Sequence, residues 1–182
     1  MSDTGVRYPG TTSGVGFTNL GNLAADDNNY ATWSTTLFDS GYPQHKTAQL
    51  YYDSSAIGNN LGDNSQIPTS ETQKVFGGVS NLWGATITPD MVNAASFGIN
   101  LLYASGSSSW VTLGCTNFGF AIPSGATIDG VVCETSDYYV SSRITKAVYV
   151  DYVRLTVYYT EGGGTSFQAA WARNANNILK VM

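Results

Sequence analysis

Residues 146–160, KAVYVDYVRLTVYYT, constrain this chain more than any other segment. Side chains of a β-strand point alternately to the two faces of a sheet, so such a run presents two distinct sets. One carries Ala147, Tyr149, Asp151, Val153, Leu155, Val157 and Tyr159, and the other Val148, Val150, Tyr152, Arg154, Thr156 and Tyr158. The first set is the more apolar towards the C-terminal half and is expected to face a core there, with Asp151 as an interruption. The run is far longer than a usual strand of about 5–6 residues. A bend, or a passage from one sheet to another, is therefore expected within it.

The remainder is built from the same materials. The 182 residues include 12 Tyr and 20 Gly, and only 12% are charged, about half of the usual ~25%. Tyr, Thr and Val suit a pleated, half-buried surface, whereas Gly, Ser and Asn suit turns. Further strands are expected at 30–38 (YATWSTTLF), 47–53 (TAQLYYD), 71–76, 97–103 (FGINLLY), 110–115, 117–122, 126–134 and 138–140. Turns are expected at the Asp26–Asn29 run and at Pro123-Ser124-Gly125, and residues 54–70 read as a long polar connection. One short helix is expected over 89–95: Thr88 can cap it, Pro89 pre-sets the first helical φ, and Asp90 complements the helix dipole. The fold class that follows is all-β, an antiparallel β-sandwich of jelly-roll-like type with one short helix and an extended C-terminal arm. Three regions are expected: an N-terminal extended segment (1–29), the sandwich (30–161), and an arm (162–182) hinged at Gly162-Gly163-Gly164. In the arm, Phe167, Trp171, Ile178 and Leu179 are the candidate protein-interface residues.

Several function classes are disfavoured. The net charge is −5, and the eight basic residues are scattered, so no patch is expected to neutralise a run of phosphates in nucleic acid. The opening MSDTGVRYPG lacks an apolar signal core and no stretch approaches 18 apolar residues, so neither secretion nor membrane insertion is expected. His45, the one histidine, sits between Gln44 and Lys46 and reads as a solvated loop residue without a catalytic partner. Cys115 and Cys133 are too few for a disulfide framework and read as buried thiols. No His/Cys cluster has zinc-ligand spacing, and the runs at 26–29 and 62–64 miss the spacing of a calcium loop, so neither metal nor cofactor is expected. Asp53, Asp129 and Asp151 lie in or beside strands, but nothing marks two of the acids as a catalytic pair.

Five segments go beyond composition: NFGFAIPSGATIDGV (117–131), FGGVSNLWGATITPDMVNAASFGINL (76–101), AVYVDYVRLTVYYT (147–160), DDNNYAT (26–32) and FQAAWARNANNIL (167–179). As a set they resemble the small β-sandwich virion structural proteins of tailed bacteriophages. The resemblance implies a non-enzymatic virion protein, made in the host cytoplasm, with no catalytic residues to carry over. The expected role is that of a capsid decoration, or cement, protein on the outer shell. Its expected partners are the major capsid protein or other virion proteins and further copies of itself, as a homo-oligomer such as a trimer. The alternative is a tail or fibre module that binds a host-surface glycan, with Tyr138, Tyr139, Trp83 and Trp110 available to stack on sugar rings.

Overall fold

The computed structural model describes residues 1–14, 16–36, 41–105, 109–142 and 145–162. Eleven strands follow in chain order: β1 (Ser2–Asp3), β2 (Thr11–Gly14), β3 (Phe17–Thr18), β4 (Ala31–Thr36), β5 (Pro43–Tyr52), β6 (Ser55–Ile57), β7 (Thr72–Gly78), β8 (Gly98–Ser105), β9 (Ser109–Thr116), β10 (Thr127–Ser141) and β11 (Thr145–Thr160). They form two antiparallel sheets, one ordered β3-β4-β11-β10-β7 and the other β2-β9-β8-β5-β6. The expected antiparallel sandwich is the observed architecture. The expected helix is α1 (Pro89–Asn93), whose Met91 N–H donates to Thr88 Oγ1 at 3.3 Å.

The long run is one strand, and a β-bulge does what two sheets or a sharp bend would otherwise do. Ser136 on β10 pairs with Tyr152 and Asp137 with Val150, so Asp151 is an extra residue with no partner opposite. An added residue shifts the alternation by one position. Val148 and Val150 face the interior before it, and Val153, Leu155, Val157 and Tyr159 after it, all buried. Two further bulges act alike, with Asp129 extra on β10 and Lys46 extra on β5.

β11 is central to its sheet. β10 runs along one side, while the other side meets β4 over Thr145 to Val150, then Arg7 opposite Leu155, then β1 over Tyr158 and Tyr159. A 3-10 turn, Leu20–Ala24, packs against β11 and β4, and the Asp26–Asn28 turn follows it. The first 29 residues thus contribute β1, β2, β3 and this turn to the body of the fold.

Two segments differ from their sequence reading. Residues 117–122, expected as a strand, pair with no strand. Their alternating Phe118, Phe120 and Ile122 are buried, but Asn117 and Gly119 adopt φ of 57° and 67°, which breaks an extended run. The segment instead closes one end of the core, with Phe118 and Phe120 stacked at 6.0 Å. Residues 54–70 are not merely a polar connection. Asp53 and Ser54, both at positive φ, make a two-residue hairpin turn into β6. Leu61 N–H then bonds to Ala48 O, Asn64 N–H to His45 O, and Ile67 N–H to Pro43 O, laying the segment along β5. Tyr139 N–H bonds to Pro68 O, so the same segment crosses to the other sheet and closes that side of the sandwich, with Ile67 fully buried.

Trp83 anchors the middle of the core. Its ring is fully buried and its Nε1–H donates to Val131 O at 2.9 Å, which satisfies the one polar atom that an indole brings inside. Gly77, at φ 81°, lets β7 pass where a side chain would strike both Val131 O and that indole.

Candidate functional site on the outer faces of the sandwich

Polar groups collect in three places: one between the sheets and one on each outer face. The interior group centres on His45, which is no loop residue. It lies on β5, 2% exposed, because the bulge at Lys46 lets Pro43, His45, Ala48 and Leu50 all face inward. His45 Nε2 is 2.8 Å from Asp137 Oδ2, and the same oxygen accepts from Thr135 Oγ1 at 2.8 Å and from Tyr103 OH at 3.3 Å. Phe76 and Tyr103 flank the imidazole at 5.6 and 5.4 Å between ring centroids. Burial, and next the Asp137 carboxylate, push the Tyr103 phenol well above its ordinary pKa, so it stays a hydrogen-bond donor. The cluster joins the two sheets and is sealed from solvent. Its geometry is that of a polar pin, since a reacting group would need access to it.

The outer face of the β11 sheet carries tyrosines and charges. Tyr138 and Tyr149 sit opposite each other across β10 and β11 and stack at 4.9 Å with 10° between planes. Tyr30 stands edge-on to both, at 5.3 and 6.0 Å, and its hydroxyl donates to Glu71 Oε2 at 3.1 Å. Burial and Glu71 push the Tyr30 phenol up to about 12. Ser136 Oγ holds the other Glu71 oxygen at 2.7 Å. Arg154 bonds Glu134 at 3.0 Å, lies 3.8 Å from Asp26, and covers the Tyr152 ring at 4.5 Å.

Asp151 is fully buried beneath this layer, under the turn that carries Asp26 and Asp27. Burial first and the nearby Glu71 next push its carboxyl up to about 6; the Asp27 backbone N–H opposes them, and Asp26 adds to the rise. A desolvated carboxyl among like charges holds its proton more tightly.

The outer face of the β8 sheet is different in kind. Its outward rows run Trp110–Ala104–Gln44, then Thr112–Leu102–Thr47, then Ser13–Gly114–Asn100–Gln49, then Thr116–Gly98–Tyr51. Among the described residues, none of these outward positions is charged. His45 faces inward, and the bulged Lys46, half-buried beside Thr47 and not part of the inward set, is the one other basic residue in β2, β5, β8 and β9. Trp110 is 65% exposed, the most exposed aromatic side chain among the described residues' large hydrophobics.

The residues singled out in the sequence fall as follows. Phe167, Trp171, Ile178 and Leu179 lie outside the described residues, as do Leu37 and Phe38 of the expected strand at 30–38. Of the four aromatics considered for sugar stacking, Trp83 and Tyr139 are buried, Tyr138 is half-buried in the tyrosine layer, and Trp110 is exposed on the opposite face. Asp53 is a turn residue, and Asp129 accepts from Thr160 Oγ1 at 2.8 Å. Cys115 and Cys133 are free, buried thiols facing the core from opposite sheets, and burial raises the pKa of both. Sequence reasoning missed Glu71, Tyr30 and Asp26 as companions of Asp151, because they come from three separate segments.

Among the described residues no group of three or more His, Cys, Asp or Glu side chains is placed to hold a metal ion, and no helix is long and apolar enough to cross a membrane. In comparisons with known protein families, curated proteins and solved structures, the chain matches none.

Proposed function

We propose that this chain is a non-enzymatic structural protein of a tailed-phage virion, a decoration or cement protein that sits on the outer shell as a homo-oligomer and binds the major capsid protein. The observation that carries the reading is the division of charge between the two outer faces. A net charge of −5 makes copies repel at large, yet the paired outward positions of β2, β9, β8 and β5 carry no charge, and the bulged Lys46 is the one basic residue beside them. Depletion of charge with an exposed aromatic is what the buried centre of a protein–protein interface requires. The resemblance of five segments to phage virion proteins supplies the setting, and Phe167, Trp171, Ile178 and Leu179 supply apolar anchors beyond Gly162 for contacts with a neighbour.

The test is a count of copies in purified particles by quantitative mass spectrometry, with and without residues 163–182. A shell protein is present in hundreds of copies, and deleting the arm removes it from particles while the sandwich still folds. A handful of copies per particle, or full occupancy after deletion, overturns the shell assignment or the arm respectively.

A second reading, a tail or fibre module that binds a host glycan, draws on one observation: three tyrosine rings and the Glu71, Glu134 and Arg154 side chains share the outer face of the β11 sheet. Glycan-array binding that is lost in Tyr138→Ala supports this reading, and an array without signal removes it.

A further inference from the structure

We infer that the arm beyond Gly162 of one copy docks on the tyrosine and carboxylate face of another copy, with Trp171 against the Tyr138–Tyr149 pair and Arg173 at Glu71. The inference rests on the assembly reading and deepens it by naming both halves of a contact between copies. Three observations lead here. The first is where the charges lie along the chain. All thirteen acidic residues stand at or before Glu161, whereas the twenty residues after Gly162 hold Arg173 and Lys180 and no acid. An acidic body and a basic, aromatic tail attract each other, and charge complementarity of this kind steers association and fixes register.

The second is a carboxylate set out for a cation. Glu71 is exposed, and its two oxygens are held by neutral hydroxyls, Tyr30 OH at 3.1 Å and Ser136 Oγ at 2.7 Å. Among the described residues no basic side chain pairs with it, while the nearby Arg154 is taken by Glu134. A carboxylate oxygen accepts more than one hydrogen bond, so each keeps room for a guanidinium N–H, and the fork of an arginine fits both. Tyr30 also stands edge-on to the stacked Tyr138 and Tyr149 rings, so acid and aromatic layer lie within one tyrosine of each other. In an extended chain, residues two apart share a side and lie about 7 Å apart. Trp171 and Arg173 have that spacing, an indole for the rings and a guanidinium for the acid.

The third is where the arm leaves. Tyr149 and Thr160 lie eleven positions apart on β11, so the arm starts roughly 35 Å along the sheet from the tyrosine layer. The way back along the same strand is covered. Tyr152 and Thr156, two of the outward positions between, are buried, and Tyr8 stands edge-on to the Tyr152 ring at 6.3 Å. An arm at one end of the sandwich and its receptor towards the other fit two different copies, one giving and one receiving. Exchange of arms in this way leaves the charge-poor face of the β8 sheet for the shell.

The experiment is sedimentation of the full-length protein over a concentration series, comparing the wild type with Arg173→Glu, Glu71→Lys, the two together, and Trp171→Ala. Ser55→Lys, which adds a lysine at an exposed position of the other sheet, is the control. Circular dichroism and thermal unfolding check that each variant folds. The wild type is expected to self-associate, and each of the three single variants to raise dissociation about tenfold or more. The charge-swapped pair should return to within about threefold of the wild type, and Ser55→Lys should change nothing. A wild-type monomer at all concentrations, association that tolerates any of the three single variants, or a swapped pair no better than either charge variant alone overturns the inference. Mixing shows whose arm is bound. A spin label on Ala175→Cys, the native thiols being buried, should broaden the Tyr138 and Tyr149 amide signals of an isotope-labelled copy that carries no spin label. Broadening confined to the spin-labelled chain places the arm on its own sandwich and overturns the exchange. Particle incorporation is measured separately, so arm-exchanged oligomers that never enter particles refute the virion reading and leave this contact standing.

Discussion

His45 on β5 and Asp137 on β10 meet across the interior, Nε2 to Oδ2 at 2.8 Å, with side chains 3% and 0% exposed. They are a polar bridge between two sheets that otherwise meet through apolar side chains. Replacing Asp137 by Ala leaves His45, Tyr103 and Thr135 without their shared acceptor. A buried polar group left without its hydrogen-bond partner costs about 1–3 kcal/mol, and three donors lose theirs here, so urea unfolding at pH 7 should show a loss of at least that order.

Asp151 gives the protein a pH dependence of definite sign. Its carboxyl is raised from 3.8 in the unfolded chain to about 6 in the fold, so between those values the native state binds the extra proton. The protonated form is the one the fold prefers. Its contribution is therefore fully present below about pH 4, and is lost as pH rises through about 6. Asp151→Asn, which keeps the shape and removes the charge, should stabilise the protein by about 2 kcal/mol at pH 7.5 and by little at pH 4. Denaturant unfolding of both proteins at the two pH values checks it; equal stability differences at both would contradict the assignment.

Gly77 and Trp83 form one packing unit around Val131 O. Gly77→Ala forces a positive φ on a residue with a side chain and drives its Cβ into the Val131 carbonyl. Strain of this kind costs on the order of 1–3 kcal/mol before the collision is counted. Thermal unfolding of Gly77→Ala should show a marked fall in Tm, whereas Gly125→Ala, where a Cβ meets nothing within 4 Å and φ is not positive, should change little.

Cys115 and Cys133 should be unreactive in the native state. Both are fully buried, and burial holds their thiols protonated. Ellman's reagent at pH 8 should label neither until denaturant is added, and then both. Rapid labelling of the folded protein would contradict the packing described.

How much of this could be read from the residues depended on whether the pattern was local. The two-set alternation of 146–160 announced a strand, and even the interruption at Asp151 marked the place where the alternation shifts. The capped helix was legible because Thr88, Pro89 and Asp90 act within one turn. His45 was misread because its neighbours Gln44 and Lys46 are polar. The signal was the inward set Pro43, His45, Ala48 and Leu50, which is regular only once a bulge at Lys46 is allowed. The segment 117–122 failed in the opposite way, since alternation alone cannot report whether a strand lies alongside to pair with it. The charge-poor outer face was hidden for a different reason: its rows draw on β2, β5, β8 and β9, and only the register of the sheet lines them up.

The central place of β11 bears on how the chain is made. This strand holds β10, β4, Arg7 and β1, so the sheet that contains it has no middle until residues 145–160 have left the ribosome. Earlier in synthesis, β4 and the N-terminal segments wait with open hydrogen-bonding edges, because their partners on β11 follow a long way down the sequence, as Ala31 opposite Val150 and Ser2 opposite Tyr159 show. Contacts so distant in sequence make folding slow and expose the nascent chain to mispairing. Chains cut short before residue 145 should therefore accumulate as insoluble material, and the yield of soluble protein should depend strongly on chaperone supply during synthesis.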